Sequence, residues 1–392
     1  MNVEPLLKAL AAALAGEGPA VQVSAPASGS GSGHDGDPVV TLVPREALGL
    51  GAGSDTDIAA IVATSGSTGT PKRTMLGVDA LAASSAGTAM ALGGEGQWLL
   101  ALPVHYVAGL QVLVRSLFAG TRPWVMDLSG GFTAEAFTAA ARELTDRIRY
   151  TSLVPTQLTR LLDDPAPETL AVLRRFNAIL LGGAPASAGL LETARGLGVR
   201  VVTTYGMSET CGGCVYDGVP LDGVRVAIRD GRVWLGGEVL ADGYVDDAAR
   251  TADAFLTEDT PDGPARWYRT GDLGELTADG RLVIHGRADD VIISGGVKIS
   301  PAAVADGLHR VPGVREVFVG GVDDPDWGQR VAAAVVGSCT EAQLRTAAAT
   351  LLAAHLVPKT VVFVSELPVL PTGKPDRAAI LALLAAAAGT GN

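Results

Sequence analysis

The apolar, strand-like run Ile58-Ala59-Ala60-Ile61-Val62-Ala63 ends in Thr64-Ser65-Gly66-Ser67-Thr68-Gly69-Thr70-Pro71-Lys72. These nine residues hold five hydroxyl side chains, two glycines and a lysine. Glycines let backbone N–H groups approach an anion, hydroxyls add donors and the lysine supplies charge, so the segment reads as a phosphate loop. It is not a Walker A loop, which needs glycine directly before its lysine; here Thr70-Pro71 intervene, and a P-loop kinase is disfavoured. Ser-Gly-Ser alone would read as a plain turn, but the full nonapeptide is far more specific.

From Ile58 onward, apolar runs of strand length (IAAIVAT, WLLALP, AILLGG, VRVVTTYG) alternate with Ala/Leu-rich helical stretches, one near 78–92. That alternation predicts a βαβ sheet. After about residue 220 the texture changes to short strands around Asp-Gly or Gly turns, as in RVAIRDGRVWLGG and ELTADGRLVIHGR. Beyond Gly286 the pattern predicts a helix at 301–310, strands at 314–320 and 330–336, a helix at 341–354 and a strand at 360–364. The expected fold is therefore α/β, with a large N-terminal domain (1–288) that includes a β-rich subdomain, and a small α+β domain (289–392). A chain of 392 residues with 47% apolar content can fill two unequal cores. The Gly/Ser-rich stretch 24–37 is expected to be a flexible loop, and the N-terminal LLKALAAALAG an amphipathic helix, not a signal.

Forty-two acidic against 30 basic residues leave a formal charge of −12, which repels a phosphate backbone and excludes nucleic acid as a natural partner. Small molecules are favoured, and no apolar run is long enough for membrane insertion. Three cysteines give no disulfide framework and fit a reducing cytoplasm. Cys211 and Cys214 form a C-x-x-C without a second pair at zinc spacing, which reads as two small residues backing a loop.

Downstream of the phosphate loop come Gly182-Gly183-Ala184-Pro185, Tyr205-Gly206-Met207-Ser208-Glu209-Thr210, Tyr268-Arg269-Thr270-Gly271-Asp272, Gly286-Arg287-Ala288-Asp289-Asp290 and Pro371-Thr372-Gly373-Lys374. Together, and in this order over roughly 58–377, they resemble the motifs of the adenylate-forming superfamily of acyl-CoA synthetases, peptide-synthetase adenylation domains and luciferases. The resemblance implies that fold, with a mobile C-terminal domain, and a reaction in which a carboxylate attacks the α-phosphorus of MgATP before the acyl group passes to coenzyme A. A carboxylate must approach a polyanion, so catalysis should rest on positioning and charge neutralisation.

The same resemblance implies roles for individual residues. Thr64, Ser65, Gly66, Ser67, Thr68, Gly69 and Lys72 would cradle phosphate. Glu209 would be the Mg²⁺-side carboxylate, a hard oxygen ligand of the kind that ion prefers, with Ser208 and Thr210 donating to phosphate oxygens. Gly182, Gly183, Ala184 and Pro185 would approach adenine, alongside Tyr205, Gly206 and Met207. Asp272 would accept both ribose hydroxyls, with Arg287 near ribose or phosphate. Lys374 would be the mobile lysine bridging carboxylate and α-phosphate, Asp289 the hinge, and Gly295 and Gly296 part of the pantetheine path. Each residue taken alone has a plainer reading: Glu209, Arg287 and Lys374 as solvated side chains, Asp272 as a turn cap, the Gly-Gly pair as a turn.

Only 63 residues precede Thr64, fewer than in most of the superfamily, and YGMSETCGGCVYDGVPLDGVRVAI resembles the actinobacterial branch of o-succinylbenzoate-CoA ligases of menaquinone biosynthesis. One departure is Pro103-Val104-His105-Tyr106, where Tyr106 takes the position usually held by histidine. His105 is either part of the gate over the carboxylate or a core histidine. That branch's substrate has a second, spectator carboxylate, which needs a local cation. Arg115, at i+4 from Gln111 on the expected helix, is the candidate, with the loop around Gly212 and Gly213 as the other place to look. Other acyl-CoA ligases, a stand-alone enzyme loading a carrier protein, and a catalytically dead nucleotide-binding protein remain as alternative readings. A homodimer is admitted beside a monomer.

Overall fold

The computed structural model describes residues 2–25, 38–48, 57–64, 72–261, 263–370 and 375–389. Most of the expected loop at 24–37, residues 26–37, lies outside them. The helix Glu4–Leu14 is amphipathic as expected: Leu6, Leu10 and Ala13 are buried against the first sheet.

That five-stranded sheet has the order Gly243–Tyr244, Lys72–Gly77, Ile58–Thr64, Ala20–Ser24, Val39–Val43. Ile58–Thr64 runs parallel to Ala20–Ser24 but antiparallel to Lys72–Gly77, with Thr64 opposite Lys72. The expected βαβ sheet therefore starts later than Ile58. Only residues 65–71 connect Thr64 to Lys72, too few for a crossover helix, so the chain returns as a hairpin.

The βαβ pattern begins at Gln97–Leu100. A seven-stranded sheet runs Val219–Pro220, Gly212–Tyr216, Val201–Met207, Ala178–Leu181, Arg149–Leu153, Gln97–Leu100, Trp124–Val125, and is parallel from Val201–Met207 onward. Its strands are apolar on both faces because helices cover both. Trp98, Leu100, Ala178 and Leu180 join the core under Val78–Leu92 and Val107–Phe118; Leu99, Ala101, Ile179 and Leu181 join the core under Ala134–Arg142 and Pro155–Leu162. The helix Val78–Leu92 has the expected bounds and stops at Gly93, whose φ of +83° sends its N–H back to Ala89 and Met90.

The β-rich part holds the hairpin Arg225–Arg229 and Arg232–Gly236, turned by Asp230-Gly231 with both φ positive. Its central strand, Gly263–Leu276, is 14 residues long, not short as expected. It pairs with Arg232–Gly236, Phe255–Thr260 and Leu282–Arg287 in turn, so its length comes from having three partners.

The last sheet orders Val297–Ile299, Ile292–Ser294, Gly328–Gly337 and Val314–Asp324, with Thr360–Phe363 parallel to Gly328–Gly337. Val331, Ala333 and Val335 face Pro301–His309 and Glu341–Leu351, while Ala332, Ala334 and Val336 face Arg377–Gly389. Both cores draw only on residues from Ile292 onward. The two long strands extend beyond the expected 314–320 and 330–336, because their backbones keep pairing through polar Asp323 and Gln329. The helix expected to reach 354 ends at Leu351, where Leu352 turns to extended backbone.

Glycine is required where Val201–Met207 meets its antiparallel neighbour. A Cβ on Gly206 would lie 2.1 Å from the Gly212 carbonyl oxygen and 2.7 Å from Gly213 Cα. Gly206→Ala must push these strands apart, and is expected to cost about 1–3 kcal/mol in urea unfolding; an unchanged midpoint would contradict the packing.

Candidate active site

In open α/β sheets, ligands bind beyond the carboxyl ends of the parallel strands. Three of the sequence motifs sit there. Pro103–Tyr106 follows Gln97–Leu100, Gly182–Pro185 follows Ala178–Leu181, and Tyr205–Thr210 ends Val201–Met207. Of the phosphate loop, Thr64 and Lys72 are cross-strand partners at its base. Ser65, Gly66, Ser67, Thr68 and Gly69 lie outside the described residues, as does Lys374, although Val369 and Pro375 pair across that segment.

The motif after Val201–Met207 makes a single 3₁₀ turn, Ser208–Thr210, closed by Cys211 in the left-handed region (φ +51°). Ser208, Glu209 and Thr210 are all buried. Glu209 Oε1 accepts a hydrogen bond from the Tyr244 hydroxyl at 2.8 Å. Tyr268 faces the same carboxylate and Tyr244, and burial together with Glu209 pushes both phenols up, so both stay protonated. Thr210 holds the turn together. Its hydroxyl accepts from Met207 N (3.0 Å) and donates to the Gly212 carbonyl (2.8 Å).

Gly182 permits a close approach: a Cβ there would lie 2.4 Å from Thr204 Oγ1, and Gly183 has φ +82°. Ala184 and Pro185 continue this partly open edge. Met207 continues the strand that leads from Tyr205 to the Ser208–Thr210 turn. Tyr205 donates to Asp272 Oδ2 at 2.7 Å, and burial and that carboxylate push its phenol up. Asp272 lies opposite Arg287 in the sheet, with Arg287 Nε 3.8 Å from its Oδ1. A carboxylate has about four acceptor positions, so Asp272 retains capacity for diol hydroxyls. Arg287 Nη2 also lies 3.6 Å from Asp289. Gly295 and Gly296 turn the Ile292–Ser294 hairpin with positive φ, and a Cβ on Gly295 would lie 2.5 Å from the Trp327 ring.

Beyond Gln97–Leu100, the His105 and Tyr106 rings lie with centroids 4.1 Å apart and planes tilted by 53°, and Tyr106 precedes the helix Val107–Phe118. Gln111 and Arg115 share its inward face, both buried. Gln111 donates to Ser84 Oγ (3.2 Å) and to the Cys211 carbonyl, beneath Gly212, whose Cβ would touch Gln111 at 3.4 Å. Gly213 packs against Thr204 and Tyr216. Arg115 lies a turn further from the His105–Tyr106 loop. It reaches the Tyr216 hydroxyl (3.5 Å), stacks 5.2 Å from the Trp98 centroid, and lines a cavity of about 250 Å³ with Ser85, Thr88, Glu95 and Tyr150. Among the described residues its buried Nε has no hydrogen-bond partner and it forms no ion pair.

The thiols of Cys211 and Cys214 are fully buried, which pushes Cys214 up to about 12 and Cys211 further. They pack in the core behind the Glu209 turn.

The family model for the AMP-binding enzyme matches residues 22–244, and that for the AMP-binding enzyme C-terminal domain matches 304–374. The chain belongs to the AMP-binding enzyme family. Within it, the chain is 42% identical over 359 residues to the "Probable 2-succinylbenzoate--CoA ligase" of Mycobacterium tuberculosis, covering 88% of this chain and 91% of that protein. It is 31% identical to the 2-succinylbenzoate-CoA ligase of Listeria monocytogenes, over 81% of this chain and 68% of the other. The o-succinylbenzoate CoA synthetase of Bacillus subtilis, solved with its acyl-adenylate intermediate OSB-AMP, superimposes with TM-score 0.70 at 29% identity, covering 82% of this chain and 69% of that one. ATP-bound MatB from Rhodopseudomonas palustris gives 0.72 at 29%, over 86% and 69%. Adenylate-forming enzymes thus share the α/β architecture expected from the sequence.

The loop preceding Tyr244 holds one titrating group in a structural position. Burial pushes Asp242 from 3.8 up to about 6, against the opposing charge of Arg266, whose guanidinium donates to the Ala241 and Asp242 carbonyls. The folded state thus holds this proton more tightly than the unfolded chain, so its stabilising contribution is full below about pH 4 and is lost as the pH rises through 6. Asp242→Asn keeps the neutral form. It should be more stable than the parent by roughly 2–3 kcal/mol at pH 7.5, with the gap closing towards pH 4, in urea unfolding at several pH values. A pH-independent gap would place the cost elsewhere.

Proposed function

We propose that the protein is an AMP-forming acid–CoA ligase whose acid is o-succinylbenzoate (2-succinylbenzoate), which places it in menaquinone biosynthesis. A carboxylate oxygen attacks the α-phosphorus of ATP and pyrophosphate leaves; the coenzyme A thiolate then attacks the acyl carbonyl and AMP leaves. In this reading the Gly182–Pro185 edge receives adenine, and the Tyr205–Asp272 pair orients ribose. Lys72 meets the phosphates, and Lys374 joins carboxylate to α-phosphate. Residues 289–392 form the domain that turns about Asp289 to exchange Lys374 for Gly295 and Gly296 at the site; the separate cores that begin at Ile292 support that division. A cytoplasmic location belongs to the same reading, supported by the three free thiols among the described residues.

The residues fit Mg²⁺ on the phosphate side. Glu209 is a buried hard-oxygen ligand whose partners among the described residues are neutral hydroxyls, and no cluster of three candidate ligands occurs among those residues. Mg²⁺ typically takes one or two protein carboxylates and fills its shell with phosphate oxygens and water. When bound it would neutralise phosphate charge.

The observation that carries the choice of acid is the 42% identity, over 88% of this chain, to the Mycobacterium tuberculosis ligase. Arg115 is the candidate for the second carboxylate: it is buried, its Nε has no partner among the described residues, and it shares its cavity with Glu95. ATP–pyrophosphate exchange should therefore depend on o-succinylbenzoate, and a coenzyme A chase should release AMP and the thioester. Arg115→Met should lower kcat/KM by about 1.5–3 kcal/mol for o-succinylbenzoate and leave an aromatic keto acid lacking the second carboxylate unaffected. Equal losses for both acids would remove Arg115 from the substrate site and leave the turn at Gly212 and Gly213.

A further inference from the structure

Tyr244 belongs to none of the sequence motifs that announce the site, yet it touches two of them. Its two-residue strand, Gly243–Tyr244, pairs with Met75 and Thr74 on the strand that begins at Lys72. The segment just before it is tied to the Glu209 turn, because Ala241 N donates to the Glu209 carbonyl at 2.9 Å. Two further bonds fix it to the same strand: Asp242 N to the Met75 carbonyl and Val245 N to the Arg73 carbonyl, each 2.9 Å. The backbone of residues 241–245 thus stitches the phosphate-loop strand to the turn that carries Glu209.

The side chain uses this placement twice. Its hydroxyl donates to Glu209 Oε1 at 2.8 Å, and Lys72 Nζ stands 5.5 Å from the centroid of its ring. An ammonium over an aromatic face is attracted by the ring quadrupole. The ring itself is held from behind by Phe255, 5.8 Å away, which in turn packs 5.0 Å from Tyr268. Lys72 and Glu209 have opposite charges, yet one stands over the ring and the other at its hydroxyl, and among the described residues they form no ion pair.

We propose that Tyr244 is a positioning residue that presents Glu209 to the metal and Lys72 to the phosphates, keeping the two from pairing. The inference rests on the role given to Glu209 above. It makes the two contacts separable by mutation: Tyr244→Phe removes the hydroxyl and keeps the ring, whereas Tyr244→Leu removes both.

The test is equilibrium binding of ATP to the full-length protein without divalent metal, and of Mn²⁺ in the presence of ATP, the latter followed by electron paramagnetic resonance. Melting curves confirm that each variant is folded. Tyr244→Phe should weaken Mn²⁺ binding about tenfold, the scale of a lost hydrogen bond to a charged group, and leave metal-free ATP affinity unchanged. Tyr244→Leu should weaken both. Glu209→Gln, in parallel, should weaken Mn²⁺ binding at least as much as Tyr244→Phe. Parent-like Mn²⁺ binding in Tyr244→Phe beside a weakened Glu209→Gln would overturn the positioning role alone. Parent-like binding in Glu209→Gln would overturn the metal role of Glu209 and the inference with it. Equal losses of metal-free ATP and Mn²⁺ binding in Tyr244→Phe would mark a general packing defect and also overturn it.

Discussion

Glu209 places a carboxylate where only 6% of the residue meets solvent, and its partners among the described residues are tyrosine hydroxyls, not cations. Hydroxyl bonds satisfy part of its acceptor capacity but return little of what desolvation takes. The surrounding structure is arranged to hold the group there regardless. A strand ends in a 3₁₀ turn whose Thr210 hydroxyl is spent on internal bonds, a glycine at 206 lets the return strand approach, and the two buried cysteines fill the space behind. In the function proposed above, a metal–nucleotide complex would supply the positive charge that these hydroxyls do not, as charge-stabilising catalysis requires.

The acyl side shows the same logic with the opposite sign. Arg115 is buried against Trp98 and Tyr216, one helical turn beyond Gln111, and forms no ion pair among the described residues. An exposed arginine would have been the ordinary outcome on a helix. Its burial follows from the apolar character of Val107–Phe118 on nearly every side, since a helix covered all round leaves its polar residues facing the interior. Among the described residues, then, Glu209 has hydroxyl partners and Arg115 has aromatic and hydroxyl partners.

Much of this was legible in the residues before any coordinates. Apolar runs bounded by glycine gave the parallel strands, and the helix at 78–92 has the bounds its pattern suggested, because Gly93 punctuates it. Asp272 and Arg287, singled out in separate motifs, lie opposite each other in the sheet. What periodicity does not carry is pairing between distant strands. The antiparallel return of Lys72–Gly77, the length of Gly263–Leu276 and the docking of Gly243–Tyr244 all depend on partners far away in the chain. Tyr244 was missed for that reason: a tyrosine after a glycine is ordinary strand material until its hydroxyl is seen on Glu209.

If the buried carboxylate is held ready for a metal–nucleotide complex at the expense of the free protein, removing its charge must help the empty fold and harm the occupied one. Thermal unfolding of the parent and Glu209→Gln, each with and without MgATP, measures both halves at once. The account predicts that the variant alone melts at or above the parent and gains much less from MgATP. A variant that melts well below the parent alone, yet keeps the full MgATP-induced rise, would contradict it.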